Sequence, residues 1–214
     1  MRFISYLLFI FITTTSLNAQ ELAVLQYGGG GDWYSNPTAL PNLVKFCNEH
    51  INTALSEKTK VVRPKSIDIF DFPIVHMTGH GNVFFTDEET KNLQNYLISG
   101  GFLHIDDNYG MDQYVRKEIK KLFPNAELKE LSASHPIFNY HFKFPEGLPK
   151  VHEHNNISPQ AMGITIGERL VLLYTFESDL GDGWENPEIH NDPQEVRLKA
   201  LQMGANIVKF AFEN

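Results

Sequence analysis

Histidines and aspartates fall where a chain of alternating strands and helices would turn back on itself. Asp106 and Asp107 end the apolar run that begins at Phe102, His80 follows Thr78-Gly79, His152 and His154 flank Glu153, and His135 lies in Ser134-His135-Pro136. Imidazole and carboxylate together are the ligand vocabulary of divalent metals and the commonest groups of acid–base catalysis. His152 and His154 stand two apart, so in an extended segment they share one face, as chelating pairs do. Asp106 and Asp107 are adjacent at a strand end and point to opposite sides, so at most one faces a given ligand. No His-Glu-x-x-His is present to fix a metal geometry. His80, Asp106, Asp107, His135, His152 and His154 are therefore candidate metal ligands, and Asp106, Asp107 and His135 candidate catalytic groups.

A second feature is Tyr27-Gly28-Gly29-Gly30-Gly31-Asp32-Trp33-Tyr34. Four glycines let a backbone approach a ligand closely or converge its N–H groups on an anion; they also suit a plain tight turn. The dinucleotide fingerprint needs glycine where Trp33 stands, and the phosphate loop needs Gly-Lys-Ser/Thr, which is missing. No nucleotide cofactor is expected, whereas the histidines and carboxylates leave a divalent metal open. Adjacent aromatics beside a carboxylate suit a sugar or a peptide. The expected ligand-binding residues are Gly29, Gly30, Gly31, Asp32, Trp33, Tyr34, His80, Asp107 and His135.

Nucleophilic catalysis finds little footing. The Gly-x-Ser-x-Gly or Gly-x-Cys-x-Gly elbow is missing, and the single cysteine, Cys47, falls within a helical pattern. Ser134 and His135 are sequence neighbours, which seldom aim at each other, and turn formation accounts for Ser-His-Pro. In Gly181-Asp182-Gly183-Trp184-Glu185, Trp184 is either a lid over the rim or a plug in the core. Asp179 and Glu185 belong by default to a solvated acidic loop.

The elements that must position these residues alternate. Apolar runs at 21–27, 61–62, 72–78 and 101–106 read as strands, and helical periodicity covers 40–55, 86–99 and 111–123. Thr86 with Glu89 forms a capping-box pattern, and Gly100 suits the helix end. A short strand is expected at 126–131. Residues 161–166 and 170–176 read as a hairpin about Gly167-Glu168-Arg169, taken as an insertion or edge elaboration. Asp192 is the expected cap of a last helix with Pro193 in its first turn. Strand, helix, strand in sequence argues for an α/β protein with a parallel sheet, and in open sheets of that kind ligands bind outside the carboxyl ends of the strands. Cys47, the last helix and the strand at 168–176 are assigned to folding alone.

Residues 1–19 carry Arg2, a short apolar stretch and a small residue before Gln20, the pattern of a cleaved export signal. The expectation is a secreted or periplasmic chain with one domain at 20–214 and no stable membrane insertion after cleavage. With 18 basic against 26 acidic side chains and a net charge of −8, there is no electrostatic footing for a phosphate backbone, so nucleic acid is excluded as a partner class.

The stretch from Leu25-Gln26-Tyr27 to Tyr34, Thr78-Gly79-His80-Gly81, the run from Gly100 to Gly110 and Ser134-His135-Pro136-Ile137-Phe138 resemble the DUF4159 family over nearly the whole mature chain. The resemblance implies a three-layer flavodoxin-like sandwich of the class I glutamine amidotransferase-like kind. It would have a mainly parallel central sheet and a C-terminal β-hairpin elaboration, and relatives that include trehalose-utilisation-like proteins. It also lends His135 weight as a rim residue. Where an amidotransferase would carry its cysteine, this chain delivers Asp106 and Asp107, so glutaminase chemistry is not carried over. Longer family members join the domain to membrane-bound or von Willebrand-type modules, which implies work in envelope assemblies. The expected function is a non-glutaminase binding module for a small polar ligand or an envelope protein; the alternative is a metal-assisted hydrolase, with sugar-linked substrates as the first class to try.

Overall fold

The structure, a computed structural model, describes residues 19–214. The expected export signal lies outside the described residues except for Ala19. The chain runs β1 (Ala23–Leu25), α1 (Ala39–His50), β2 (Lys60–Val62), β3 (Ile74–Gly79), α2 (Asp87–Ile98), β4 (Phe102–Asp107), α3 (Asp112–Leu122), β5 (Lys129–Glu130), β6 (Gln160–Ile166), β7 (Arg169–Phe176), α4 (Leu180–Trp184), α5 (Pro187–His190) and α6 (Gln194–Glu213). The protein is thus α/β, and no described helix is long and apolar enough to cross a membrane.

Seven strands form one sheet in the order β2-β1-β3-β4-β7-β6-β5. The first five run parallel, and β6 is antiparallel to both β7 and β5. Every residue of β3 and β4 is buried, as expected of strands covered on both faces. Leu43, Val44, Trp184, Met203 and Ile207, from α1, α4 and α6, pack in one core. Leu93, Leu97, Val115 and Ile119, from α2 and α3, pack with Met77 and Ile105 in the other. The capping box at α2 is formed: Glu89 N–H donates to Thr86 Oγ1 at 3.2 Å and Thr86 N–H to Glu89 Oε2 at 2.8 Å.

Three expectations change. The hairpin of β6 and β7 is no edge ornament, because β7 pairs in parallel with β4 and lies inside the sheet. Its end therefore delivers residues to the same rim as β3 and β4. Second, α1 stops at His50, where Asn52 turns the chain at φ +56°, so Ile51 and Leu55 fill the core from irregular chain. Third, Asp192 does not cap α6. Pro193 holds the cap position without a side-chain bond, and the Asp192 carboxylate turns to His152.

Candidate functional site

At the carboxyl ends of β1 and β3 the order of the strands reverses, which is where open α/β sheets usually place a ligand. Here the chain fills the crevice itself. Gly31 N–H donates to Asn82 O at 3.0 Å, Phe84 N–H to Gly28 O at 2.9 Å and Asn82 Nδ2 to Gly29 O at 2.9 Å, so the glycine loop is laced to the loop after β3. The glycines at the contact are steric necessities. A Cβ on Gly31 would lie 2.7 Å from Asn82 O, and one on Gly79 (φ +138°) would overlap the Tyr27 hydroxyl. Asp32 accepts the His80 backbone N–H and pairs with His80 Nδ1 at 3.0 Å. Trp33 packs edge-on to Tyr34 at 5.5 Å, and Tyr34 is 65% exposed. Gly29, Gly30, Gly31, Asp32, Trp33, Tyr34 and His80 are thus brought together, mainly to seal the switch point.

Both aspartates at the end of β4 are buried, on opposite sides of the strand. Asp106 Oδ2 accepts the Gly181 N–H at 2.6 Å, and its Oδ1 meets the Thr175 hydroxyl, which lies 3.1 Å from His104 Nε2. Burial pushes the Asp106 carboxyl up to about 8, against the pull of Thr175 and Gly181. It is therefore largely neutral at pH 7 and works as a tether for α4 rather than as a charged ligand. Asp107 Oδ1 accepts the Met111 N–H at 2.9 Å and its Oδ2 accepts the Tyr174 hydroxyl at 3.2 Å; burial raises it too. Behind them His76 and His104 stack with their Nδ1 atoms 3.1 Å apart. Burial drives His76 down to about 3 and holds His104 well below its ordinary value, His76 adding to the push there, so the pair is uncharged.

The titratable groups that do converge lie where β7 ends. Glu177 (φ +57°) and Asp179 (φ +56°) hold left-handed backbone without being glycine, and such strain persists where surroundings over-determine it, often at functional sites. Val151 N–H donates to Ser178 O at 2.8 Å and Ser178 Oγ to Pro149 O at 2.6 Å, which seats the 150–158 segment against this turn. His152 Nδ1 then lies 3.1 Å from Asp182 Oδ2 and 3.5 Å from Asp179 Oδ2, and its Nε2 lies 3.0 Å from Asp192 Oδ1. His154 Nε2 is 2.5 Å from Asp179 Oδ2, and His190 Nε2 is 3.7 Å from Asp182 Oδ1. Three imidazoles and three carboxylates make one constellation. Bonds to Asp179 and Asp182 hold the His152 imidazolium to about 10. Burial alone would raise the Asp182 carboxyl, yet His152, Asn36 and His190 reverse this and leave it below the usual range.

A rigid polar layer underlies the cluster. Asn36 Nδ2 and Asn108 Nδ2 both donate to Asp182 Oδ1, at 2.5 and 3.0 Å, and Thr78 Oγ1 donates to Asn108 Oδ1 at 2.9 Å. Above it Tyr109, with φ +84° and 49% exposed, stacks on His154 at 4.5 Å between centroids. Two oxygens of the cluster remain without a partner among the described residues: Asp179 Oδ1 and Asp192 Oδ2, both inaccessible to solvent.

Of the expected ligands, His152 and His154 enter the constellation; His80, Asp106, Asp107 and His135 do not. His135 sits apart, its Nδ1 accepting the Ile137 N–H at 3.3 Å and its ring against Phe210. It borders a groove of about 690 Å³ with Glu127, Lys129 and Ser132. Ser134 bonds Ser132 rather than His135. Asp179 and Glu185 are not a solvated acidic loop: both are almost wholly buried, and Glu185 Oε1 accepts the Thr38 N–H at 2.7 Å. Trp184 is a core plug, 1% exposed. Sequence reasoning missed Asp182, His190 and Asp192 as site residues, along with Asn36, Asn108 and Tyr109. The signal within reach is Asp179-x-x-Asp182 beside glycines, just after a strand whose hairpin spacing suggests an edge.

No match was found among curated proteins. A family model described as a domain of unknown function matches residues 21–212. With nearly the whole chain covered, the protein belongs to the DUF4159 family.

Proposed function

We propose that this domain binds a small polar ligand at the carboxyl ends of β4 and β7, on the constellation of His152, His154, His190, Asp179, Asp182 and Asp192. The observation that carries the reading is Asp179, fully buried, in left-handed backbone, with Oδ1 lacking a partner among the described residues. A buried acceptor left unpaired costs about 1–3 kcal/mol, a cost that a ligand can relieve. Since the unpartnered atoms are acceptors, the ligand brings donors or positive charge. The exposed Tyr109 face offers it an aromatic wall. The strand order and the helices on both faces support a flavodoxin-like, amidotransferase-like ancestry with a binding role in place of glutaminase chemistry. The pattern of residues 1–19 supports export to the periplasm or beyond, where an envelope protein is the natural macromolecular partner.

A screen of amino sugars, neutral sugars, polyamines and divalent cations by thermal shift tests this. A ligand present at about 100 times its Kd stabilises by about 2.7 kcal/mol. The expected result is stabilisation of the wild type by at least one class and none in Asp179→Asn, since asparagine tolerates the left-handed backbone. Hits that stabilise both proteins equally would overturn the assignment.

A further inference from the structure

We propose that the constellation is a binding site for one divalent first-row transition-metal ion, of the zinc kind, held by His152 Nδ1, His154 Nε2 and Asp179 Oδ2, with Asp182 and His190 flanking His152 on the other side. The inference rests on the preceding reading that this cluster is the ligand site, and it names the ligand.

Four observations carry it. The three primary ligand atoms lie within 4.8 Å of one another, and the same holds for the His152, Asp182 and His190 group. Bonds of about 2.1 Å to a tetrahedral or octahedral ion place neighbouring ligand atoms about 3.0–3.4 Å apart, and His152 Nδ1 stands 3.1 and 3.5 Å from the two carboxylates. Only the 2.5 Å pair of His154 and Asp179 has to open.

The outer contact of His152 is the third. Metal-bound histidine commonly donates its other ring N–H to a carboxylate, which fixes the tautomer, and Asp192 stands 3.0 Å from His152 Nε2. The fourth is Asp179 Oδ1, a wholly buried carboxylate oxygen with no partner among the described residues. Imidazole nitrogen with carboxylate oxygen selects zinc, manganese or iron over calcium or magnesium, which prefer all-oxygen shells. Two histidines and one carboxylate leave positions open for water or for a ligand oxygen, the arrangement a metal-assisted hydrolase would need.

The test is calorimetric titration of chelator-stripped full-length mature protein with Zn²⁺, repeated with Mn²⁺. One ion per chain is expected. His152→Ala and Asp179→Asn are each expected to weaken binding at least about 100-fold, and Asp192→Asn, which only orients His152, about 10-fold. His80→Ala and His135→Ala are expected to bind as the wild type does. Circular dichroism and thermal melts confirm that each variant is folded. Absence of binding, binding unaffected in both His152→Ala and Asp179→Asn, or binding lost in His80→Ala or His135→Ala would overturn the metal inference. If Zn²⁺ and Mn²⁺ fail while an organic ligand still binds in an Asp179-dependent way, the metal reading falls and the ligand site stands; if neither binds, both fall.

Discussion

Trp184→Ala is expected to lower stability by about 4 kcal/mol, among the largest effects of any single substitution in this chain. The indole is 1% exposed, its Nε1 donates to Ala200 O at 2.8 Å, and it lies 5.2 and 5.6 Å from the His76 and His104 rings. Gly204 leaves room for it and for Leu43: a Cβ there would lie 2.8 Å from Trp184 Cζ2 and 2.6 Å from Leu43 Cδ1. Truncation opens a cavity and orphans a buried carbonyl, two costs that add. The consequence reaches the site, because α4 is only five residues long and cannot hold its shape alone. Trp184 anchors it two residues from Asp182. Urea denaturation checks the magnitude, and a loss under about 1 kcal/mol would contradict the packing argument.

Asp106→Ala is expected to cost about 3 kcal/mol, since it leaves the Gly181 N–H without its acceptor and a gap beside Thr175. Asp106→Asn should be nearly silent near pH 4 and more stable than the wild type at pH 7, because the amide keeps the shape of the neutral carboxyl and has no proton for the unfolded chain to release. Its signature is a change in pH dependence. The folded value of about 8 lies above the ordinary 3.8, so the unfolded chain releases this proton first, and Asp106 costs stability progressively as pH rises from about 4 to about 8. His152, raised to about 10, also stabilises fully only below its ordinary 6.5, and that contribution is lost as pH climbs through 10. His76, held down near 3, acts only as pH falls below 6.5. Both histidines are common to wild type and variant, so the comparison isolates Asp106. Between pH 5 and 8.5 the wild type should lose more stability than Asp106→Asn; equal losses would refute the neutral tether.

What the sequence made legible follows its local signals. The capping box of Thr86 and Glu89, the apolar stripe of Leu93 and Leu97, and the buried runs of β3 and β4 each declare themselves within a few residues, and each stands where periodicity predicted. The carboxyl-end rim was legible for the same reason, since glycines and polar residues follow the strands directly. The constellation was only half visible. His152 and His154 signal each other at a spacing of two, but their partners Asp179, Asp182, His190 and Asp192 come from the turn after β7 and from the short helices α4 and α5 and the chain just beyond them, and the left-handed residues of that turn, Glu177 and Asp179, carry no glycine to mark it. That turn reaches the rim because β7 joins the sheet beside β4, a pairing between distant segments that hairpin periodicity cannot reveal. Asp106 and Asp107 misled for a related reason: two acids at a strand end look available, and only the packing of α4 and Tyr174 shows them occupied.

Everything proposed for the site depends on three carboxylates converging on one imidazole, and the nitrogen NMR spectrum of the His152 ring reads this most directly. In chelator-treated protein at pH 8.5, His152 should remain protonated on both nitrogens, far above the ordinary value of 6.5, and should titrate near 10. A ring that is already neutral at pH 8.5 and titrates near 6.5 would mean that Asp179, Asp182 and Asp192 do not surround it, and the constellation would fall.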